Sequence, residues 1–137
     1  LVPHLRPAPP FLPRDRPAPR NIPHTGLHVV TLGTGASPHA CPHRGGPSTS
    51  LSFGGSTFLF DAPEGLQRRC LLDAPKHRAL DFSSLDAIFL THLHADHVGG
   101  LLGVLFQAAS DRAAENVRRG RGVEVCGPPG IYNFLAS

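Results

Sequence analysis

At 137 residues the chain is one domain at most, long enough to bury a core of its own. Its formal net charge is +3 and is carried almost wholly by arginine, since Lys76 is the sole lysine. That mild balance suits a polyanionic partner without identifying one. Cys41, Cys70 and Cys126 are widely separated and include no C-x-x-C pair, which argues against a disulfide scaffold and for a reducing, intracellular compartment. No apolar run approaches bilayer length, which excludes a membrane-spanning helix.

Residues 1–24 alternate Pro with Arg, Ala and Leu, as in Arg6-Pro7-Ala8-Pro9-Pro10, and are expected to form an extended, disordered tail, because proline removes donors and blocks helix. Asp15 is its lone acid. An organellar presequence is the alternative, but the proline density forbids the amphipathic helix such presequences need. From residue 25 a single partial domain follows. Leu27 to Leu32 reads as a β-branched strand closed by Gly33-Thr34-Gly35. The loop from Ser37 to Pro47 carries His39, Cys41, His43 and Arg44, a Cys/His cluster that lacks the second ligand pair of a zinc knuckle. Ser48–Phe53 and Ser56–Phe60 flank Gly54-Gly55, the pattern of a β-hairpin.

The second hairpin strand runs into Asp61-Ala62-Pro63-Glu64-Gly65, and Glu64 to Leu72 reads as a short helix with Leu66, Cys70 and Leu71 inward and Arg68 and Arg69 solvated. Residues 73–84 connect to an apolar strand, Leu85 to Leu90. Val98 to about Ser110 then reads as a helix whose Gly99, Gly100 and Gly103 allow close packing on the sheet. Asp111 to Gly122 is a polar excursion containing Arg112, Arg118, Arg119 and Arg121. It is a solvated loop by default, though its arginines could touch phosphates. Val123 to Cys126 is a further strand, and Gly127-Pro128-Pro129-Gly130 turns into a helix from Ile131.

The chemistry concentrates in Thr91-His92-Leu93-His94-Ala95-Asp96-His97, at the junction of strand and helix. Imidazole nitrogens and a carboxylate oxygen suit a borderline divalent ion such as zinc. His92 and His94, two apart in an extended segment, point the same way and can grip one ion. Asp96 and His97 leave in another direction and could hold a second. Two ions about 3.5–4 Å apart can clamp both the attacking and the leaving oxygen of a displaced ester. Taken singly, each residue has an ordinary explanation, and Asp96 alone would make a good helix N-cap.

The phrase His92-x-His94-x-Asp96-His97 after an apolar strand resembles the signature of the metallo-β-lactamase superfamily. Leu32-Gly33-Thr34-Gly35-Ala36, Ser48-Thr49-Ser50, Phe60 to Arg68 and Cys126 to Gly130 make the chain similar to its ribonuclease Z branch over residues 27 to 135. The resemblance implies an αββα sandwich, of which this chain holds the N-terminal half as a mixed sheet with flanking helices. It implies a zinc-dependent endoribonuclease removing the 3′ trailer from precursor tRNA, with two zinc ions, no membrane partner and room for a homodimer. His92 and His94 would bind one zinc, Asp96 and His97 the other. Asp96 would also accept a proton, and Asp61 would orient a metal-bound histidine without touching metal.

The family usually has a glycine where Pro63 stands. Its remaining ligands lie further along, whereas no histidine follows His97 here. The first residue is Leu1 and methionine is absent. The chain is therefore expected to be the first half of a larger protein, truncated at the C-terminus. Four ligands shared by two ions imply weak metal retention and no catalysis by this part alone, and half a sandwich would expose an apolar sheet face. Two alternatives accompany this reading: another hydrolase of the superfamily, acting as a phosphodiesterase or thioesterase, and a non-catalytic tRNA-binding half of a long ribonuclease Z.

Overall fold

The computed structural model describes residues 26–36, 44–77, 80–114 and 122–136. The readings for the tail, for His39, Cys41 and His43, and for Arg118, Arg119 and Arg121 lie outside them. Five strands among the described residues form one sheet in chain order: β1 (His28–Gly33), β2 (Ser48–Phe53), β3 (Ser56–Phe60), β4 (Leu85–Phe89) and β5 (Glu124–Cys126). The first three pair antiparallel, while β3 with β4 and β4 with β5 run parallel. The mixed sheet expected from the sequence is thus present.

The reason for this switch is local. Gly54 and Gly55, at φ +58° and +81°, close the β2–β3 hairpin in the left-handed conformation that two-residue turns require. After β3, by contrast, the chain leaves the sheet through helix α1 (Leu66–His77) and returns in the same direction as β4, since parallel strands need a crossover.

Alternation along the strands assigns two faces. Leu32, Ser50, Thr57 and Leu59 point inward and are buried. With Leu85 and Ile88 of β4, the inward face packs against Leu66 and Cys70 of α1 and Leu101, Val104 and Ala108 of α3 (Leu101–Ala114). Removing one such side chain from water stabilises the fold by about 1.5–3 kcal/mol, so Leu59, Leu85, Ile88 and Leu101, all at 0% exposure, anchor this layer. The opposite face carries Val29, Phe53 and Phe60, all exposed. On it Phe60 stacks on Phe89 with ring centroids 5.3 Å apart.

Several boundaries differ from the sequence reading. Helix α1 continues to His77, past Leu72 and through Pro75, which has no N–H to give to the preceding turn. Leu71 faces out, at 46% exposure, while Leu66 and Cys70 are buried. The expected single helix from Val98 is two: a short α2 (Ala95–Val98) and then α3, separated by Gly99-Gly100. The polar excursion also starts later, since Asp111 to Ala114 belong to α3.

Candidate metal centre

Because β3 and β4 are parallel, with Phe60 opposite Phe89, their carboxyl ends emerge at one edge of the sheet. Ligand sites in open α/β sheets form outside such ends, where the loops of neighbouring strands meet. Here the loop after β3 begins with Asp61 and the loop after β4 with Thr91. The two are sewn together by backbone hydrogen bonds. Ala62 N–H donates to the His97 carbonyl at 2.7 Å, and Gly100 N–H donates to the Ala62 carbonyl at 2.8 Å.

Asp61 is the pivot. Its backbone is left-handed, at φ 59°, and it is the sole non-glycine residue of that kind among the described residues. A left-handed L-residue costs roughly 1–2 kcal/mol, and aspartate is one of the few types to adopt it regularly. The conformation is held from three sides. Asp61 N–H donates to the Phe89 carbonyl at 2.9 Å, the buried Ser48 hydroxyl donates to the Asp61 carbonyl at 2.7 Å, and the side chain is fully engaged. Its Oδ1 accepts from the Thr91 N–H at 2.8 Å, and its Oδ2 lies 2.8 Å from His97 Nδ1. The strand-end turn and the buried carboxylate are therefore one device.

The four residues singled out as metal ligands share this edge. His92 Nε2 lies 3.1 Å from His94 Nδ1, and the His92 and His97 rings are 3.8 Å apart between centroids. His97 Nε2 lies 3.7 Å from Asp96 Oδ2. They form two pairs. Among the described residues no group of three or more His, Cys, Asp or Glu is disposed to hold an ion. The donor set nonetheless fits zinc. Two nitrogens at ~2.0–2.1 Å from one tetrahedral ion stand about 3.3 Å apart, close to the His92–His94 separation.

The alternative role for Asp96 as a helix cap is not what is seen. The cap of α2 is His94, at φ −69° and ψ 148°, without a side-chain capping bond, and Asp96 lies inside the first turn. Its carboxylate is 17% exposed and stands where the backbone amides of the helix start favour negative charge.

Glycines supply room where the loops meet. A Cβ on Gly100 would lie 2.0 Å from the Pro63 carbonyl oxygen, and one on Gly46 would lie 2.6 Å from Pro63 Cβ and 2.9 Å from the Asp96 carbonyl oxygen. Gly100 and Gly103 thus serve close contact with the Asp61–Gly65 turn and with Gln67 of α1, and not with the sheet as expected. The end of the loop before β2 also reaches this edge through Gly46. Of the expected solvated arginines, Arg68 is exposed while Arg69 is half-buried, its guanidinium 2.6 Å from where a Cβ on Gly45 would stand. Arg112 is engaged as well. It donates to the Ser83 carbonyl at 3.2 Å and to the Leu85 carbonyl, and stands 3.9 Å from Asp86. Thr91 was given no role from the sequence, yet its hydroxyl touches Asp61, His92 and His97. Its place at the head of the ligand phrase was the available signal.

A family model described as Anti-Pycsar protein Apyc1 matches residues 27–117. The chain belongs to that family. Among curated relatives, a protein named Ribonuclease Z from Mycolicibacterium paratuberculosis is 37% identical over 112 residues, which are 81% of this chain and 36% of the relative. Zinc phosphodiesterase ELAC protein 1 of Mus musculus is 33% identical over 109 residues, 80% of this chain and 28% of the relative. Among solved structures, human tRNase Z, short form, superposes with a TM-score of 0.63 at 32% identity, covering 79% of this chain and 36% of that one. The chain therefore spans about a third of the length of the relatives it matches. The ribonuclease Z resemblance and the metallo-β-lactamase fold class read from the sequence both stand.

Proposed function

We propose that this family member acts, as the complete protein, as a zinc-dependent endoribonuclease that removes the 3′ trailer from precursor tRNA. The observation that carries this reading is the meeting of His92, His94, Asp96 and His97 at the carboxyl edge of two parallel strands, with Asp61 behind them. The names of the relatives support the substrate class, and the name of the mouse relative supports zinc and phosphodiester chemistry.

In this reading His92 and His94 hold one ion and Asp96 and His97 the other. Bound zinc would lower the pKa of a coordinated water toward ~7 and so supply a nucleophile at neutral pH. The protein's own groups do the rest. Asp61 Oδ2 accepts the His97 Nδ1 proton, which orients the ring and leaves Nε2 as the donor atom. Asp96, whose side chain is partly open to solvent, would also accept a proton from the attacking water. Two ligands from this chain to each ion leave the tetrahedral set incomplete, and the remainder comes from the part of the protein beyond these residues. Arg44, exposed at the end of the loop before β2, would be one cation able to meet RNA phosphates in this reading.

A second reading has one observation in its favour: the matching family description, Anti-Pycsar protein Apyc1, is not a ribonuclease Z name. On that reading the same centre hydrolyses a smaller phosphodiester. Incubation of the intact protein with a trailer-bearing precursor tRNA and, separately, with a small phosphodiester separates the two. The expected result is one cut at the trailer junction, abolished by a chelator and slowed about 100-fold or more by Asp96→Ala. Trailer cleavage at the wild-type rate by the Asp96→Ala protein defeats the assigned role of that carboxylate, and turnover of the small ester alone favours the second reading.

A further inference from the structure

The Thr91 hydroxyl has polar contacts to three side chains, and the number of protons available decides how they run. Its Oγ1 is 3.0 Å from Asp61 Oδ1 and 2.9 Å from Oδ2. It is also 3.0 Å from His92 Nδ1 and 3.3 Å from His97 Nδ1. A hydroxyl has one proton to give and two lone pairs to receive with, whereas an ionised carboxylate only receives. Were the proton given to His92 Nδ1, two oxygen contacts of 3.0 Å or less would face each other with no hydrogen between them. The charge-assisted bond to Asp61 is also the stronger of the two choices. The proton therefore goes to Asp61, and the contact to His92 survives only if the ring donates.

We propose that Thr91 is a positioning residue that fixes the tautomer of His92, with the proton on Nδ1 and the lone pair of Nε2 turned toward the centre. The same rule applied to Asp61 puts a proton on His97 Nδ1, 2.8 Å away. Two of the three imidazoles are thereby set from behind, through one carboxylate and one hydroxyl. His94 differs. Its Nδ1 faces His92 Nε2 at 3.1 Å, so in the metal-free protein it donates there, and it is the ring that must change tautomer when both nitrogens turn to a cation. As a statement about proton positions this holds whatever the protein cuts; as a route to metal affinity it rests on the proposed zinc centre.

Imidazole nitrogen NMR of the intact, metal-free, ¹⁵N-labelled protein tests the inference at a pH of about 8.5, where ordinary imidazoles are neutral. The expected spectrum shows His92 with a protonated Nδ1 and a bare Nε2, the reverse of the form an unconstrained imidazole prefers. Thr91→Val, which keeps the shape and removes the hydroxyl, is expected to return His92 to the ordinary form, and Thr91→Ser to keep the unusual one. A wild-type spectrum with the proton on His92 Nε2 overturns the inference by itself, whether or not the valine protein folds. An unchanged His92 in a folded Thr91→Val protein overturns it too. Zinc competition against a chelator is read separately. A roughly 10- to 100-fold weaker affinity in Thr91→Val, restored in Thr91→Ser, supports the inference. The expected wild-type spectrum in a protein that takes up no zinc supports it as well, while overturning the zinc reading.

Discussion

The two ends of the sheet use glycine for opposite purposes. At the hairpin end, Gly54 and Gly55 have positive φ and a Cβ added to either would meet no atom within 4 Å; they are there for backbone conformation alone. At the carboxyl end of β3 and β4, Gly100 has no such φ, yet its Cβ would collide with the Pro63 carbonyl. One end needs a bend and has space to spare, while the other needs two loops in contact so that Asp61 reaches Thr91 and His97.

Substitutions that treat the ends alike should therefore have unequal outcomes. Gly100→Ala is expected to cost about 3 kcal/mol, the upper part of the ordinary overpacking range, because backbone atoms on both sides must shift. Urea unfolding would read it as a lower midpoint at unchanged slope. Asp61→Ala should cost about 2 kcal/mol, mainly by stranding the Thr91 N–H without its acceptor, and should weaken zinc binding roughly 10- to 100-fold. Gly54→Ala, strained only by its φ, should cost about 1 kcal/mol in the same unfolding experiment, and Gly54→Asn less. If Gly54→Ala proves as damaging as Gly100→Ala, the contrast between the ends is wrong.

The smallest effect concerns Cys126, where β5 reaches the same edge. Burial raises the pKa of its thiol, helped by the negative charge of Glu124 and by a hydrogen bond to it, at 3.8 Å. A raised pKa means less thiolate at a given pH, so alkylation near pH 8 should be slower than for an ordinary thiol. Glu124→Gln removes the negative charge while keeping an acceptor oxygen, and should speed it about two- to five-fold. No rate change in that variant would show that the charge contributes nothing to the shift.

Much of this architecture was legible in the residues because the signals were local. The Gly54-Gly55 hairpin, the apolar strand before Thr91 and the ligand phrase each depend on neighbours in sequence. What escaped depends on residues distant in the chain. Nothing near Thr91 announces that Asp61, thirty residues earlier, will meet its hydroxyl. Nothing near Gly100 announces that Pro63 will occupy the space of its missing side chain. Arg112 read as solvated for the same reason, since its partners Ser83, Leu85 and Asp86 come from the turn before β4 and from β4 itself. The helix break at Gly99-Gly100 is again a consequence of that loop contact.

Zinc-edge X-ray absorption on the intact, zinc-loaded protein addresses the metal centre most directly. The prediction is a shell of nitrogen and oxygen ligands at ~2.0–2.2 Å with the outer scattering of imidazole rings, diminished when His92 and His94 are both replaced by alanine. A sulfur shell at ~2.3 Å, or a spectrum indifferent to the loss of those two rings, would place the metal elsewhere and contradict the assignment.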